Sequence, residues 1–386
     1  MCDRVAPVSV VRCKSYDTAV VEEALNECLA LLGGIEQFVR RGETIVLKPN
    51  LLAPTPPSRG VTTHPSVIRA LALRVRDAGA RAVIADSPGS PVEMPVLGAL
   101  YRITGMEGAA SETGATLGFD SSEVTISNPD GKFVKTVPVA RMMAECDGII
   151  NVPKLKTHGF MVLSAGIKNM FGVVPGMRKS EFHFKMPKRE LFGELLVDIA
   201  LAMKPRLTVL DAVTSMEGHG PAHGDLIETQ LLAASGDVFA LDLVASHMSG
   251  IRAQSIYALK AAIARGLAPA SIKEIRLLGE TRDNISHHFA MPRDVTVFNP
   301  FRYFLPRSLA DKAADMVRPV PVFDRRICSG CRTCLRQCPP HAITMHNGFP
   351  EVDVDKCISC FCCQELCPKG AVGARRRALV RHTKHK

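Results

Sequence analysis

The chain of 386 residues has no tryptophan, and aromatic residues make up only 5% of it. Its hydrophobic content of 46% is therefore mostly aliphatic, and is enough for a sizeable core. No apolar run approaches the roughly 20 residues that a membrane-spanning helix needs. The opening stretch "MCDRVAPVSVVRCKSYD" shows no long apolar segment behind its charges, so no secretory signal is expected and a cytoplasmic protein is. There is no Walker motif. No Gly-x-Gly-x-x-Gly follows the first strand, which leaves a nicotinamide or flavin Rossmann site unsupported. The final "RRRALVRHTKHK" lacks any acid, in a chain whose net charge is +10. A basic tail suits an acidic partner or surface. No zinc-finger or RNA-binding signature accompanies it, and nucleic acid is not expected as a partner.

Cysteine is present, and unevenly. Of 13 cysteines, Cys2, Cys13, Cys28 and Cys146 are scattered, and the remainder lie between Cys328 and Cys367. Clustering of this kind reads as ligation, not as a disulfide framework. The spacing Cys-x2-Cys-x2-Cys-x3-Cys-Pro occurs twice. The first run is Cys328, Cys331, Cys334 and Cys338 before Pro339; the second is Cys357, Cys360, Cys363 and Cys367 before Pro368. That is the spacing of bacterial two-cluster ferredoxins, where the fourth cysteine of each run serves the other cluster. One [4Fe–4S] cluster is thus expected on Cys328, Cys331, Cys334 and Cys367, and a second on Cys357, Cys360, Cys363 and Cys338. A structural zinc ion would use two separated Cys-x2-Cys pairs instead. Cys362 is surplus, because taking it as third ligand would break both spacings of its run. It reads as a small residue beside the cluster, or as a site of ligand exchange or oxidation.

The first 300 residues alternate strand and helix signals. "PVSVVRC", "ETIVLKPN", "ARAVIADSPG", "CDGIINVPK", "RLTVLDAV" and "IKEIRLLGE" read as strands. "TAVVEEALNECLALL", "HPSVIRALALRVRDAG", "ELFGELLVDIALAM" and "SIYALKAAIARGL" read as helices, and "EVTISNPDGKFVKTVPV" as a hairpin. The alternation predicts an α/β fold with a mostly parallel sheet covered by helices, followed by a small α+β ferredoxin-like unit. The expected division is an α/β domain at 1–300, an ordered connector at 301–319, the two-cluster domain at 320–374 and the basic tail at 375–386.

Ligands of open α/β sheets bind at the carboxyl ends of strands. Polar residues gather there: Lys48 and Asn50, Thr63 and His64, Asp86 and Ser87, then Asn151, Lys154, Lys156 and His158. Asp211, Glu217, His219 and His223 follow a later strand. The run "HGFMVLSAGIKNMFGVVPGMRKSEFH" adds Lys168, Asn169, Arg178, Lys179 and His183 among small residues. Lysines and amides beside a glycine-rich backbone suit an anionic ligand, and histidine suits acid–base work or a metal. Lys154, Lys156, His158, Lys168 and His183 are therefore candidates for catalysis. Lys48, Asn50, Asp86, Asn169 and Glu217 are candidates for holding a second, unidentified ligand.

The ordered series "LKPN", "TTHP", "ADSPG", "NVPKLKTH", "AGIKNMFG", "MEGHGP" and "ASGDVFALD" resembles the family catalogued as domain of unknown function 362. Many of its members carry a C-terminal ferredoxin pair and are labelled iron–sulfur proteins or ferredoxins. The run from His158 through Ala165, Gly166, Lys168, Pro175 and Gly176 to His183 is similar to the cofactor segment of nickel-pincer lactate racemase. That likeness would make His158 an acid–base, Lys168 the tether of the pincer nucleotide and His183 a nickel ligand. The resulting expectation is an iron–sulfur redox protein. Its ferredoxin part would exchange electrons with a redox partner protein or a small-molecule donor, and with an anionic substrate or cofactor in the α/β part. The alternatives are an electron-carrier or assembly subunit without a substrate, and a racemase-like isomerase with structural clusters.

Overall fold

The computed structural model describes residues 6–88, 94–120, 122–176, 178–292 and 318–381, together with 306, 309 and 316. The expected connector at 301–319 lies almost wholly outside the described residues, as do residues 382–386 of the tail.

Within the described residues the strands of the larger part are β1 (Val8–Arg12), β2 (Thr44–Pro49), β3 (Arg81–Ile84) and β4 (Thr116–Leu117). A hairpin of β5 (Glu123–Ser127) and β6 (Thr136–Ala140) follows. Then come β7 (Gly148–Val152), β8 (Lys154–His158), β9 (Val162–Ser164), β10 (Leu207–Glu217), β11 (Asp225–Ser235) and β12 (Leu277–Gly279). All but the hairpin join one 10-stranded sheet in the order β12-β1-β11-β10-β7-β2-β3-β4, with β8 beside β10 and β9 beside β8. From β10 to β4 the neighbours run parallel. Strand β11 opposes both β1 and β10, so the sheet is mostly but not wholly parallel.

Successive residues of these strands enter different cores, as a period of two requires. Val8 and Val10 of β1, Val46 of β2 and Ile149 of β7 join one cluster. Val11, Ile45, Leu47 and Ile150 join the other. The second cluster is closed by α1 (Thr18–Leu31), α2 (Pro65–Asp77), α3 (Met94–Ile103) and α4 (Met106–Thr113). On the first face, short helices α5 (Arg141–Glu145) and α6 (Gly166–Met170) precede α7 (Arg178–Lys185), α8 (Arg189–Met203), α9 (Val238–Met248) and α10 (Tyr257–Ala264). Both faces are thus covered, which explains why strands such as β2 carry near-continuous apolar runs.

The smaller part contains β13 (Pro319–Phe323) paired antiparallel with β16 (Val372–Arg376), and β14 (Ile343–His346) paired with β15 (Phe349–Val352). Short helices Thr333–Arg336 and Cys362–Glu365 complete it. An offset of 29 residues, from Cys328 to Cys357, maps one half onto the other. It also maps backbone geometry. Gly330 and Ser359, Arg332 and Phe361, and His341 and Gly370 all have positive φ. Non-glycine residues adopt that region rarely, so its recurrence at equivalent places marks a loop path that the repeat imposes on whichever residue occupies it.

Candidate functional site

Strands β2, β3 and β7 end side by side, and the polar residues after them meet there. Lys48 Nζ lies 2.8 Å from Asp86 Oδ1, and both side chains are buried. Asp86 also accepts the Leu51 and Ser87 backbone N–H groups. The backbone of Gly172 crosses this pair so closely that a Cβ there would stand 2.4 Å from both the lysine nitrogen and the carboxylate. Behind it runs a chain of amides: Asn50 Nδ2 donates to Asn169 Oδ1 (3.1 Å), and Asn169 Nδ2 to Asn151 Oδ1 (2.8 Å). Asn151 in turn donates to Gly166 O. Helix α6 is fixed from its other side, where the Asp242 carboxylate accepts the Gly166 and Ile167 N–H groups.

In front of this layer is a partly open cavity. Its walls include Asn50, Asp86, Lys156, His158, Lys168, Asn169, Lys179 and His183 from the α/β part. Lys156 Nζ donates to Asn50 Oδ1 (2.7 Å) and to Val61 O. Lys179 Nζ donates to the carbonyls of Val174 and Ser87. Burial pushes both ammonium groups down to about 7. Lys168 is half-buried, with its Nζ 5.3 Å from the centre of the Phe171 ring. Among the described residues none of these three lysines has a carboxylate within ion-pair distance.

His158 closes β8. Its Nδ1 accepts the N–H groups of Phe160 (3.0 Å) and Met161 (3.3 Å), which places the proton of the neutral ring on Nε2. That Nε2 is buried without a hydrogen-bond partner, 3.8 Å from Glu365 Oε2. Burial holds the ring well below the ordinary histidine range, and Lys168 and Lys156 add to this. The β8–β9 turn that presents His158 is strained at Val162, a β-branched residue with φ of 76°. His183 stacks on Phe192 at 4.3 Å and is pushed down to about 3 by burial, then by Lys168. Its Nδ1 is also unpartnered.

The remaining wall comes from the smaller part: Cys362, Glu365 and Leu366 face the same cavity. The surplus cysteine is thus a wall of the cavity. Glu365 and Leu366 had no motif to mark them, because only the packing of the two parts brings them there. The same docking is held by His223 Nε2, 3.0 Å from Cys367 O.

The cysteines of the smaller part fall into two groups. Cys328, Cys331, Cys334 and Cys367 line a small cavity of their own. Burial raises the Cys334 thiol, and charge on Cys331, Cys328 and Cys367 raises it further. Burial pushes the Cys363 thiol well up, and charge on Cys360, Cys357 and Cys338 raises it further, with Cys334 of the other group behind them. Backbone N–H groups point at sulfur at equivalent positions: Gly330 to Cys328, Ser359 to Cys357, Ala342 to Cys338 and Ala371 to Cys367. Among the described residues no three His, Cys, Asp or Glu side chains converge tightly enough for a single metal ion. Thiols arranged around a void, with amides aimed at sulfur, fit an iron–sulfur cluster better than zinc.

Other expected residues lie apart from the main cavity. Lys154 is fully buried, paired with Asp211 (3.0 Å) and bonded to Tyr16 Oη. Glu217 accepts the Ala290 N–H at the far end of β10. His64 caps α2 and stacks on Tyr16.

A mostly parallel α/β sheet joined to a ferredoxin-type cysteine module defines an iron–sulfur electron-transfer protein. Residues 45–247 match the model described as domain of unknown function (DUF362), and residues 320–368 match the 4Fe-4S dicluster domain. The chain belongs to the DUF362 family. It is 33% identical over 313 residues to the thylakoid-associated protein sll1697 of Synechocystis, a match covering 79% of this chain and 92% of that protein. The electron transport protein HydN of Escherichia coli is 30% identical over 82 residues, 21% of this chain and 43% of HydN. The lactate racemase apoprotein from Thermoanaerobacterium thermosaccharolyticum superposes with a TM-score of 0.39 at 12% identity, over 63% of this chain and 57% of that one. Among the described residues no helix is long and apolar enough to cross a membrane.

Proposed function

We propose that this protein passes electrons through two [4Fe–4S] clusters to or from an anionic ligand bound in the main cavity. The observation that carries the reading is the shared wall. Cys362 and Glu365, from the helix between Cys360 and Cys367, line the same cavity as Lys156, Lys168 and Lys179. The clusters, when bound, supply one-electron chemistry; Cys328, Cys331, Cys334 and Cys367 would hold the outer one, and Cys357, Cys360, Cys363 and Cys338 the inner one.

The rest falls to the chain's own side chains. Three lysines without carboxylate partners supply positive charge for an anionic group, and the Lys48–Asp86 pair and the amide chain hold their loops in place. Protonation of Lys156 and Lys179, marginal in a buried site, is favoured by an anion beside them. Neutral His158 directs Nε2–H into the cavity, where it can donate a hydrogen bond to an anionic ligand. His183 offers an unpartnered nitrogen to the same space. A racemase-like reading draws on one further observation, that His158, Lys168 and His183 line a single cavity.

The test uses anaerobically purified protein. Iron, sulfide and nickel are determined, and the dithionite-reduced sample is examined by EPR. About eight iron and eight sulfide per chain, with coupled reduced-cluster signals, support the reading. Zinc, or about four iron, overturns the two-cluster assignment, and stoichiometric nickel favours the racemase-like alternative. Small molecules extracted from the same protein are compared with those from Lys168→Ala. An anion that is lost in the variant while iron is kept supports the cavity as its site.

A further inference from the structure

The two cysteine groups differ in surroundings. The inner group adjoins the main cavity through Cys362, and Cys360 and Cys363 are buried. The outer group faces solvent: Cys331 is exposed, and Arg332 and Lys369 stand among the residues lining its void.

The charge around the outer group is not balanced. Residues 318–381 contain five carboxylates: Asp324, Glu351, Asp353, Asp355 and Glu365. Asp324 pairs with Arg326 (2.7 Å), Glu351 with Arg325 (3.0 Å), Asp353 with Lys356 (3.8 Å) and Asp355 with Arg377. Glu365 faces the main cavity beside His158. No carboxylate is left for Arg332, Arg336 and Lys369, which are exposed. Among the described residues none of the three has an acidic partner within ion-pair distance. An exposed electron-transfer site under a cationic rim is built to attract an anionic surface, since complementary charge raises the encounter rate and orients the partner.

We propose that the rim formed by Arg332, Arg336 and Lys369 is the docking face for an acidic electron-carrier protein. It rests on the two-cluster reading and names the partner that serves it. One electron passes between the carrier and the outer cysteine group's cluster; the carrier is oxidised or reduced by one electron, and no bond or proton moves. The main cavity adjoins the inner group and the rim lies at the outer one, so the carrier and the anionic ligand use different faces of the module.

The probe is an acidic flavodoxin, with the full iron-loaded chain. Two quantities are measured at about 50 and 200 mM salt: the affinity of the complex in the oxidised state, and the rate at which reduced flavodoxin reduces the clusters. The double reversal Arg332→Glu/Lys369→Glu is expected to lower both at least about tenfold at low salt, and to flatten the salt dependence. Iron content and the reduced-cluster EPR signal report whether this variant keeps its module; if it does not, Lys369→Gln alone, at an exposed position, should give a smaller fall of the same sign. Arg375→Glu/Arg376→Glu on β16 makes an equal charge change elsewhere. An equal loss from that pair overturns the proposal, as does flavodoxin reduction that is indifferent to both salt and rim charge. A rim-dependent binding to phosphatidylglycerol vesicles with flavodoxin binding unchanged also overturns it, in favour of a membrane surface. Intact iron and sulfide with no flavodoxin dependence overturns the docking face and leaves the two-cluster reading standing; a deficit of iron in the wild type overturns both.

Discussion

The buried Lys48–Asp86 pair gives the sharpest test of how the cavity is supported. Asp86→Asn keeps the shape of the side chain but removes its charge. Three donors converge on the carboxylate: Lys48 Nζ at 2.8 Å, Leu51 N at 2.8 Å and Ser87 N at 3.0 Å. An amide group can accept only at its single oxygen, so one donor is left facing an NH2. Lys48, with no exposed side-chain surface, loses its carboxylate and keeps only neutral acceptors, the Pro49 carbonyl at 3.2 Å among them. At an effective dielectric of about 20 the pair's attraction is roughly 6 kcal/mol, most of it offset in the native protein by desolvation of both ions. Removing one partner strands the other, which costs about 3–5 kcal/mol. In a protein of this size that lowers Tm by roughly 4–6 °C.

The assay is thermal unfolding of the anaerobically purified chain by far-UV circular dichroism, with iron content measured in parallel. Two further results follow from the same reasoning. Lys48→Met in the Asp86→Asn background removes the stranded charge and should recover a large part of the loss. The deficit of Asp86→Asn should also shrink as pH rises. Burial already lowers the Lys48 pKa from 10.5, and without Asp86 nothing opposes that shift. The unfolded chain then binds a proton that the folded chain has lost, and stability rises with pH up to the free lysine value. A Tm for Asp86→Asn within about 1 °C of wild type, or a double variant less stable than the single one, refutes the argument.

Gly172→Ala places a Cβ 2.4 Å from both members of that pair, and should cost about 1–3 kcal/mol through overpacking, read as a lower Tm. Cys362→Ser should keep full iron and sulfide, whereas Cys363→Ser should lose about half of the iron by chemical analysis; the reverse result would move the third ligand to Cys362. Lys156 and Lys179 are held down to about 7 by burial, against 10.5 in the free side chain. Between those values the unfolded chain binds more protons, so the stability of the ligand-free protein should climb from pH 7 to pH 9 and level off below pH 7, as Tm against pH would report.

The repeat of cysteines was legible because a cluster imposes its ligand spacing locally: three thiols within seven residues must wrap one face of it whatever the rest of the chain does. The parallel strands were legible for a similar reason, since a strand buried on both faces must be apolar along its length. Strand β8 broke that rule. "KLKTH" reads as a polar loop, yet all five residues are buried, because the lysines find Asp211 and Asn50 and His158 turns its Nδ1 onto backbone amides. Buried polar residues are stable only when partnered, and partners distant in sequence leave no periodic mark. The same holds for the cavity. Lys156 and Glu365 are separated by most of the chain, and neither predicts the other. What brings them together is the packing of the cysteine module onto the ends of β2, β3 and β7, which turns the one cysteine that the ligand spacing does not use toward the lysines. A surplus residue in a tightly spaced motif is therefore informative: freed from ligation, it is positioned by what the module packs against, and here that is the candidate site.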